Sequence, residues 1–293
     1  MKVYELKPFG YCYGVMNALE LIRTVKDKHL DKNVYVFGML VHNNDVVKYL
    51  NGIDVITIDT SKIDKEERLN QFSSDDVVVF TAHGHDYKLE EILKKNNVIY
   101  YDATCKNVLK NLELIKAHTK NKQVIYIGKK NHPETEAALA ISNKVVLYDI
   151  KDGIDYSLIK DNDPLICNQT TLSFLEIKDI HLDILSHFPN ARLEDEICSS
   201  TRVRQENIYN FKGEVDLVLI IGSIQSSNTD KLYQIAKNKF LDSKVIKVEN
   251  LNELKKYDLY KYHSALITSG TSTPLQSILE IKEYLGGINN EWF

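Results

Sequence analysis

The sequence predicts an α/β protein, with three similar α/β units that carry small, mainly parallel sheets around a central cavity. Two patterns predict the class, and a third predicts the number of units. Short β-branched runs alternate with amphipathic stretches along the whole chain, as β-α-β crossovers do. Several runs are continuously apolar, such as Val77-Val78-Val79-Phe80 and Leu217-Val218-Leu219-Ile220-Ile221. Strands buried on both faces of a parallel sheet read this way. Three of the four cysteines, Cys12, Cys105 and Cys198, stand 93 residues apart twice over, each after a strand-like run and before a helix-like one. A period of that length is a domain-sized repeat, far beyond a solenoid.

The first unit, 1–97, carries strands at 2–6, 33–38, 53–57 and 76–82, with helices at 14–29, 43–51 and 86–96. In its first turn Gly10 and Gly14 flank Cys12 and let the backbone bend between strand and helix. The second unit, 98–192, carries strands at 98–102, 123–128, 145–148 and 164–168, with helices at 106–120, 133–142 and 173–187. In 106–120, Val108, Leu109, Leu112, Leu114 and Ile115 make an apolar stripe at helical spacing, which is core. The third unit, 193–293, carries strands at 215–222, 244–248 and 264–269, with helices at 200–211, 227–240 and 274–285. Ser226-Ser227-Asn228 precedes one of these helices, and Pro274 is placed in the first turn of another.

Composition narrows the function. The chain has 293 residues, 43% hydrophobic and 27% charged, with a net charge of −4 and no concentrated basic stripe. This argues against a nucleic-acid partner. No apolar run approaches the roughly 20 residues that span a bilayer, so no membrane partner is expected. The chain opens directly on a strand, so no signal segment is expected and the location expected is cytoplasmic. Four cysteines in a reducing compartment point to metal binding or catalysis more than to disulfides. Cys167 lies off the 93-residue pattern and reads as a buried strand residue.

Polar clusters repeat with the cysteines. His42, His132 and Ser226 follow their cysteines by 30, 27 and 28 residues, and His83, Thr170 and Ser269 follow by 71, 65 and 71. Each cluster falls at the carboxyl end of a strand, where open α/β sheets bind ligands. Three thiolates suit a soft metal centre, be it zinc, copper(I) or iron–sulfur. The chain has no CxxC pair, which disfavours structural zinc. Three long-range thiolates suit a four-iron cluster with one iron open. His42, His83 and His132, placed before helix starts, with Ser226, Ser227, Asn228 and Ser272, make a cradle for phosphate. Glu134, in the first turn of its helix, is a candidate proton donor, and Thr170 a candidate relay. His85, His118, His181 and His187 read as loop or helix-surface residues with no role. Three functions fit: a reductase, a cluster-dependent hydro-lyase that needs no electrons, and a phosphate-ligand sensor with structural cysteines.

The chain resembles the LytB/IspH family of 4-hydroxy-3-methylbut-2-enyl diphosphate reductases over nearly its whole length. The resemblance rests on Gly10-Tyr11-Cys12-Tyr13-Gly14-Val15, Val41-His42-Asn43, Ala82-His83-Gly84, Asp102-Ala103-Thr104-Cys105 and His132-Pro133-Glu134. It continues in Gln169-Thr170-Thr171-Leu172-Ser173, Ile197-Cys198, Gly222-Ser223, Ser226-Ser227-Asn228, and Gly270 with Ser272 and Pro274. It implies a [4Fe–4S] cluster on Cys12, Cys105 and Cys198. It implies a diphosphate held by His42, His83, His132, Ser226, Asn228 and Ser272, with Ser227 adjacent, and Glu134 as proton source helped by Thr170. Two electrons, from a ferredoxin or flavodoxin, and two protons would remove the allylic hydroxyl as water. Isopentenyl and dimethylallyl diphosphate would result, the last step of the methylerythritol phosphate route to isoprenoids. Some flanks depart from the family pattern: Phe9, Tyr11 and Tyr13 replace Arg, Phe and Ala, and Asn131 replaces Gly.

Overall fold

A computed structural model describes residues 1–194 and 197–288; the remainder of the predicted third unit, at 195, 196 and 289–293, lies outside the described residues. The chain forms two compact units. One comprises Met1–Val15, His42–Val46 and the chain from Ser199 onward, and the other Met16–Val41 and Val47–Cys198.

The first unit is built on a four-stranded sheet of order β1-β12-β10-β11, made of β1 (Lys2–Glu5), β10 (Leu217–Ile221), β11 (Lys244–Val248) and β12 (Ser264–Ser269). All its pairings are parallel, with Lys2 opposite Ser264 and Leu217 opposite Ala265. Strand β10 is wholly buried because helices cover both of its faces. On one side Leu219 and Ile221 pack with Ile278 and Ile281 of α11 (Leu275–Gly287). On the other, Val218 and Ile220 pack with Leu232 and Ile235 of α9 (Ser227–Lys239) and with Ile208 of α8 (Ser199–Asn210). Gly222, at φ +150°, ends β10 where a Cβ would stand 2.6 Å from Thr229 Oγ1 and 2.8 Å from Thr273 Oγ1. No other residue fits between those two hydroxyls.

The second unit holds two further four-stranded parallel sheets, of order β3-β2-β4-β5 and β7-β6-β8-β9. The first contains β2 (Asn33–Phe37), β3 (Val55–Ile58), β4 (Asp76–Phe80) and β5 (Ile99–Asp102); the second contains β6 (Val124–Gly128), β7 (Val145–Asp149), β8 (Leu165–Asn168) and β9 (Arg192–Leu193). The helices of this second unit are α3 (Lys65–Leu69), α4 (Lys88–Lys95), α5 (Lys106–His118), α6 (Pro133–Ala140) and α7 (Phe174–His187); α1 (Tyr13–Lys28) and α2 (Asn44–Asn51) begin in the first unit and continue in the second, and α10 (Leu251–Leu254) completes the first unit. The α/β class and the three small parallel sheets are as predicted. Every predicted strand and helix is present; of the predicted stripe of α5, Val108, Leu112 and Ile115 are buried core, whereas Leu109 and Leu114 are half-buried. Four short elements among the described residues were not predicted: β9, a 3-10 turn at Tyr156–Leu158, α3 and α10. The last two are started by Asp64 and Asn250, whose side chains accept from Glu67 N and Glu253 N.

Candidate active site

Each of the three spaced cysteines stands directly before a helix. Cys12 precedes α1, Cys105 caps α5 with extended backbone (φ −60°, ψ 138°), and Cys198 precedes α8. Their amides are tied down by neighbouring strand ends. Cys12 N donates to Thr271 O at 2.9 Å, Cys105 N to Ala82 O at 3.0 Å, and Cys198 N to Thr170 O at 3.1 Å. In the second unit Asn107 Nδ2, in the first turn of α5, donates to Cys198 Sγ at 3.1 Å. No cysteine forms a disulfide, and these three are half-buried, whereas Cys167 is fully buried in β8, as predicted. Among the described residues no group of three or more His, Cys, Asp or Glu side chains is gathered as a metal site. Three sulfurs on separate strand-to-helix turns, with no close CxxC pair among them, would suit an iron–sulfur cluster better than a structural zinc.

The predicted anion donors divide between the units. His83 and His132 meet in the second, with ring centroids 5.8 Å apart and planes at 88°. Gly84 allows the meeting. At φ +84° it brings the chain after β4 so close to α5 and α6 that a Cβ would lie 3.2 Å from Leu112 and 3.4 Å from Ala137. His132 caps α6, and its Nδ1 accepts from Glu134 N at 3.2 Å. That bond fixes the tautomer, leaving Nε2 to carry the ring's proton and donate. Asn131, where the family pattern has glycine, stands at φ +62°. The left-handed conformation explains both residues, since asparagine tolerates it better than other side chains. His83 does not stand at a helix start as predicted; α4 begins five residues later, at Lys88.

The first unit holds His42, Ser226, Ser227, Asn228 and Ser272. Ser226 caps α9, accepting from Thr229 N at 3.4 Å, and Ser227 is its first residue. Ser272 Oγ and Asn228 Oδ1 are buried without a hydrogen-bond partner. Buried polar atoms are rarely left so. The Ser272 hydroxyl would be satisfied by an acceptor such as an anion. Asn228 needs only a half-turn of its amide, so that Thr271 donates to Oδ1 and Nδ2 turns to the open side. Asn43, unassigned by sequence, donates from Nδ2 to Ser272 O at 2.9 Å and accepts from Asp45 N at 2.8 Å. Its side chain thus starts α2 and holds the Ser272 loop. Pro274 stands one residue before α11 and not in its first turn.

Glu134 is 2% exposed. Its Oε1 accepts from Thr170 N at 2.8 Å and from Tyr126 Oη at 3.4 Å, and its Oε2 from Thr170 Oγ1 at 3.1 Å. Burial raises its pKa to about 7, against the opposing pull of those bonds. A carboxyl poised there can hold and release a proton at neutral pH. Tyr126 is the polar residue that sequence reasoning passed over; its one signal is a phenol inside a wholly buried strand, where the hydroxyl needs a partner. Of the histidines given no role, His85 is not a surface residue. It is buried, stacks on Phe80 at 3.7 Å and bonds Glu90 Oε1 at 3.1 Å. His187 is exposed, as predicted.

Similarity to known proteins agrees with this chemistry. The LytB protein family matches residues 3–286. A 4-hydroxy-3-methylbut-2-enyl diphosphate reductase of Bacillus thuringiensis is 34% identical over 289 residues, covering 97% of this chain and 90% of the relative. A relative of the same name from Bacillus anthracis is equally similar, at 34% over 289 residues. Among solved structures, the E-1-hydroxy-2-methyl-but-2-enyl-4-diphosphate reductase of Plasmodium falciparum matches with a TM-score of 0.84 at 26% identity, over 97% of this chain and 87% of that one. A structure of (E)-4-hydroxy-3-methyl-but-2-enyl diphosphate reductase, described as the terminal enzyme of the non-mevalonate pathway, matches with a TM-score of 0.68 at 27% identity, over 98% of this chain and 99% of that one. A family match over residues 3–286, with relatives 34% identical along almost the whole chain, shows that the chain belongs to the LytB protein family.

Proposed function

We propose that this protein reduces 4-hydroxy-3-methylbut-2-enyl diphosphate to isopentenyl and dimethylallyl diphosphate, using a [4Fe–4S] cluster held by Cys12, Cys105 and Cys198. The activity is that of its family, and the assignment of residues is carried by one observation, the buried Glu134 carboxyl clasped by Thr170. When bound, the cluster supplies electrons and one iron without a thiolate. His42, His83, His132, Ser226, Asn228 and Ser272 bind the diphosphate, with Ser227 beside them. His132 donates from Nε2, because Nδ1 is engaged by Glu134 N. Glu134 holds a proton at Oε1 or Oε2 and gives it up through Thr170 as the hydroxyl leaves as water. Two electrons and two protons enter per turnover. The electrons come from a small carrier, a ferredoxin or flavodoxin. Among the described residues no helix is long and apolar enough to cross a membrane, and the place of action proposed is the cytoplasm.

The test is anaerobic purification with iron and sulfide analysis, followed by turnover with a reduced viologen dye. Four irons and four sulfides per chain with turnover are expected, whereas a zinc-loaded or metal-free, inactive protein would falsify the reading. Cys12→Ser, Cys105→Ser and Cys198→Ser should each lose cluster, and Cys167→Ser should keep it.

A further inference from the structure

We propose that Tyr126 is a positioning residue for Glu134, confining the transferable proton to Oε2 by donating to Oε1 beside the Thr170 amide. This rests on the reading of Glu134 as proton source. Tyr126 lies in β6, fully buried, with Cys167 of β8 as its cross-strand neighbour. A buried phenol must find an acceptor, and the one Tyr126 finds is Glu134 Oε1 at 3.4 Å. That oxygen already accepts Thr170 N at 2.8 Å. An oxygen facing two donors is the poorer place for a proton, because an added hydrogen would point at N–H or O–H. Oε2 faces a single partner, the Thr170 hydroxyl at 3.1 Å, and a hydroxyl can turn from donor to acceptor. The proton therefore sits on Oε2.

Transfer then has one route. The Oε2–H bond breaks as an O–H bond forms at Thr170 Oγ1, and the proton that Thr170 carried passes to the departing oxygen of the substrate. Thr170 ends neutral. Glu134 ends as a carboxylate that keeps its bonds from Thr170 N and Tyr126. No electron moves in this step. The ion pair on α6 is that of Glu136 with Lys65 of α3, at 2.5 Å and partly exposed. Helix α5 presents Val108 and Leu112, and β7 presents Val145 and Leu147. The remaining titratable groups nearby are Cys167, behind Tyr126, and His132, which caps the helix of Glu134 and meets the ring of His83. Burial holds the Tyr126 phenol well above its ordinary range, so it stays a donor throughout and does not itself give up a proton.

The test is Tyr126→Phe, which keeps the ring and the core packing, read by infrared titration of the protonated carboxyl band in the oxidised holoenzyme. Glu134→Gln identifies that band by removing it. Losing a donor to the carboxylate should raise the titration midpoint by roughly 0.5 to 1 unit and shift the band, since the proton is then free to occupy either oxygen. The alkaline limb of the kcat profile should move up by the same amount with KM unchanged. Tyr126→Met, which lacks a donor and a rigid ring, should shift the midpoint in the same direction. An unchanged midpoint in both variants overturns the proposal. Full turnover in Glu134→Gln is a different failure, that of the proton-source reading, and is told apart because the band is read without turnover.

Discussion

Arg204 Nη2 donates to the carbonyl of Gly10 at 2.7 Å, across 194 positions of the chain. Through Nη1 the same guanidinium reaches Ser269 O at 2.7 Å, Gly270 O at 3.0 Å and Ser269 Oγ at 3.2 Å. Gly10 N closes the ring by donating to Ser269 Oγ at 3.0 Å. One buried cation thus ties the turn that carries Cys12 to the loop that carries Ser272. Only a planar fork fits several acceptors at once.

Replacing that fork with a shorter neutral group leaves buried carbonyls without donors. Arg204→Gln is expected to lower unfolding free energy by roughly 3 kcal/mol, measured by urea denaturation. Iron retained per chain should fall with it, because the Cys12 turn is no longer held. Arg204→Lys should recover part of both, as it restores charge without the fork.

Glu134 should set the upper pH limit of turnover. Its acid form is the donor, and with a pKa near 7 that form declines as pH rises through neutrality. Glu134→Gln should therefore lose on the order of 100- to 10,000-fold in kcat. Stability should move the other way. The folded state holds its proton up to about pH 7, whereas the unfolded chain releases it near the ordinary 4.5. The native state binds the extra proton between those values, so stability falls as pH rises from about 4.5 to 7. Glu134→Gln removes that loss, which amounts to an order of 3 kcal/mol at most. A variant that is inactive yet melts higher than the parent at pH 8 is the expected result; a parent whose stability does not fall across that range would contradict the burial argument.

Ser272 and Ser226 should separate binding from folding. Ser272 Oγ makes no bond within the protein, so Ser272→Ala should change unfolding free energy by less than about 0.5 kcal/mol. Its KM for the diphosphate substrate should rise roughly tenfold, the value of one hydrogen bond to a charged group. Ser226 is a helix cap, and Ser226→Ala should cost about 1 kcal/mol of stability as well. Equal destabilisation by the two changes would argue against an anion at Ser272.

Asn131 tests the cap geometry that aims His132. At φ +62°, Asn131→Gly should be neutral or stabilising, and Asn131→Ala should destabilise by about 1 kcal/mol. Thermal melts of the two variants make the comparison.

Much of this was legible in the sequence because the signals were local or periodic. Val77–Phe80 and Leu217–Ile221 announced buried parallel strands by composition, and the 93-residue spacing marked three of the four thiols as a set. What the sequence could not announce lay in contacts across distance. Nothing in Lys2–Glu5 says which sheet an edge strand joins, and it pairs with β12. Arg192–Leu193 and Leu251–Leu254 are too short to show a period. His85 reads as polar loop until Phe80 and Glu90 are seen to enclose it. The Tyr126 ring reads as core, which it is; that its hydroxyl meets Glu134 depends on the register of β6 against α6.

The pairing of β1 with β12 also orders events in time. A ribosome adds roughly 5 to 20 residues per second, so the first strand waits on the order of tens of seconds for Ser264–Ser269 to be made. Until then Cys12 has neither Thr271 nor the Arg204 clasp to hold it. Of the three spaced thiols, the one nearest the start of the chain is therefore the last to have its surroundings made.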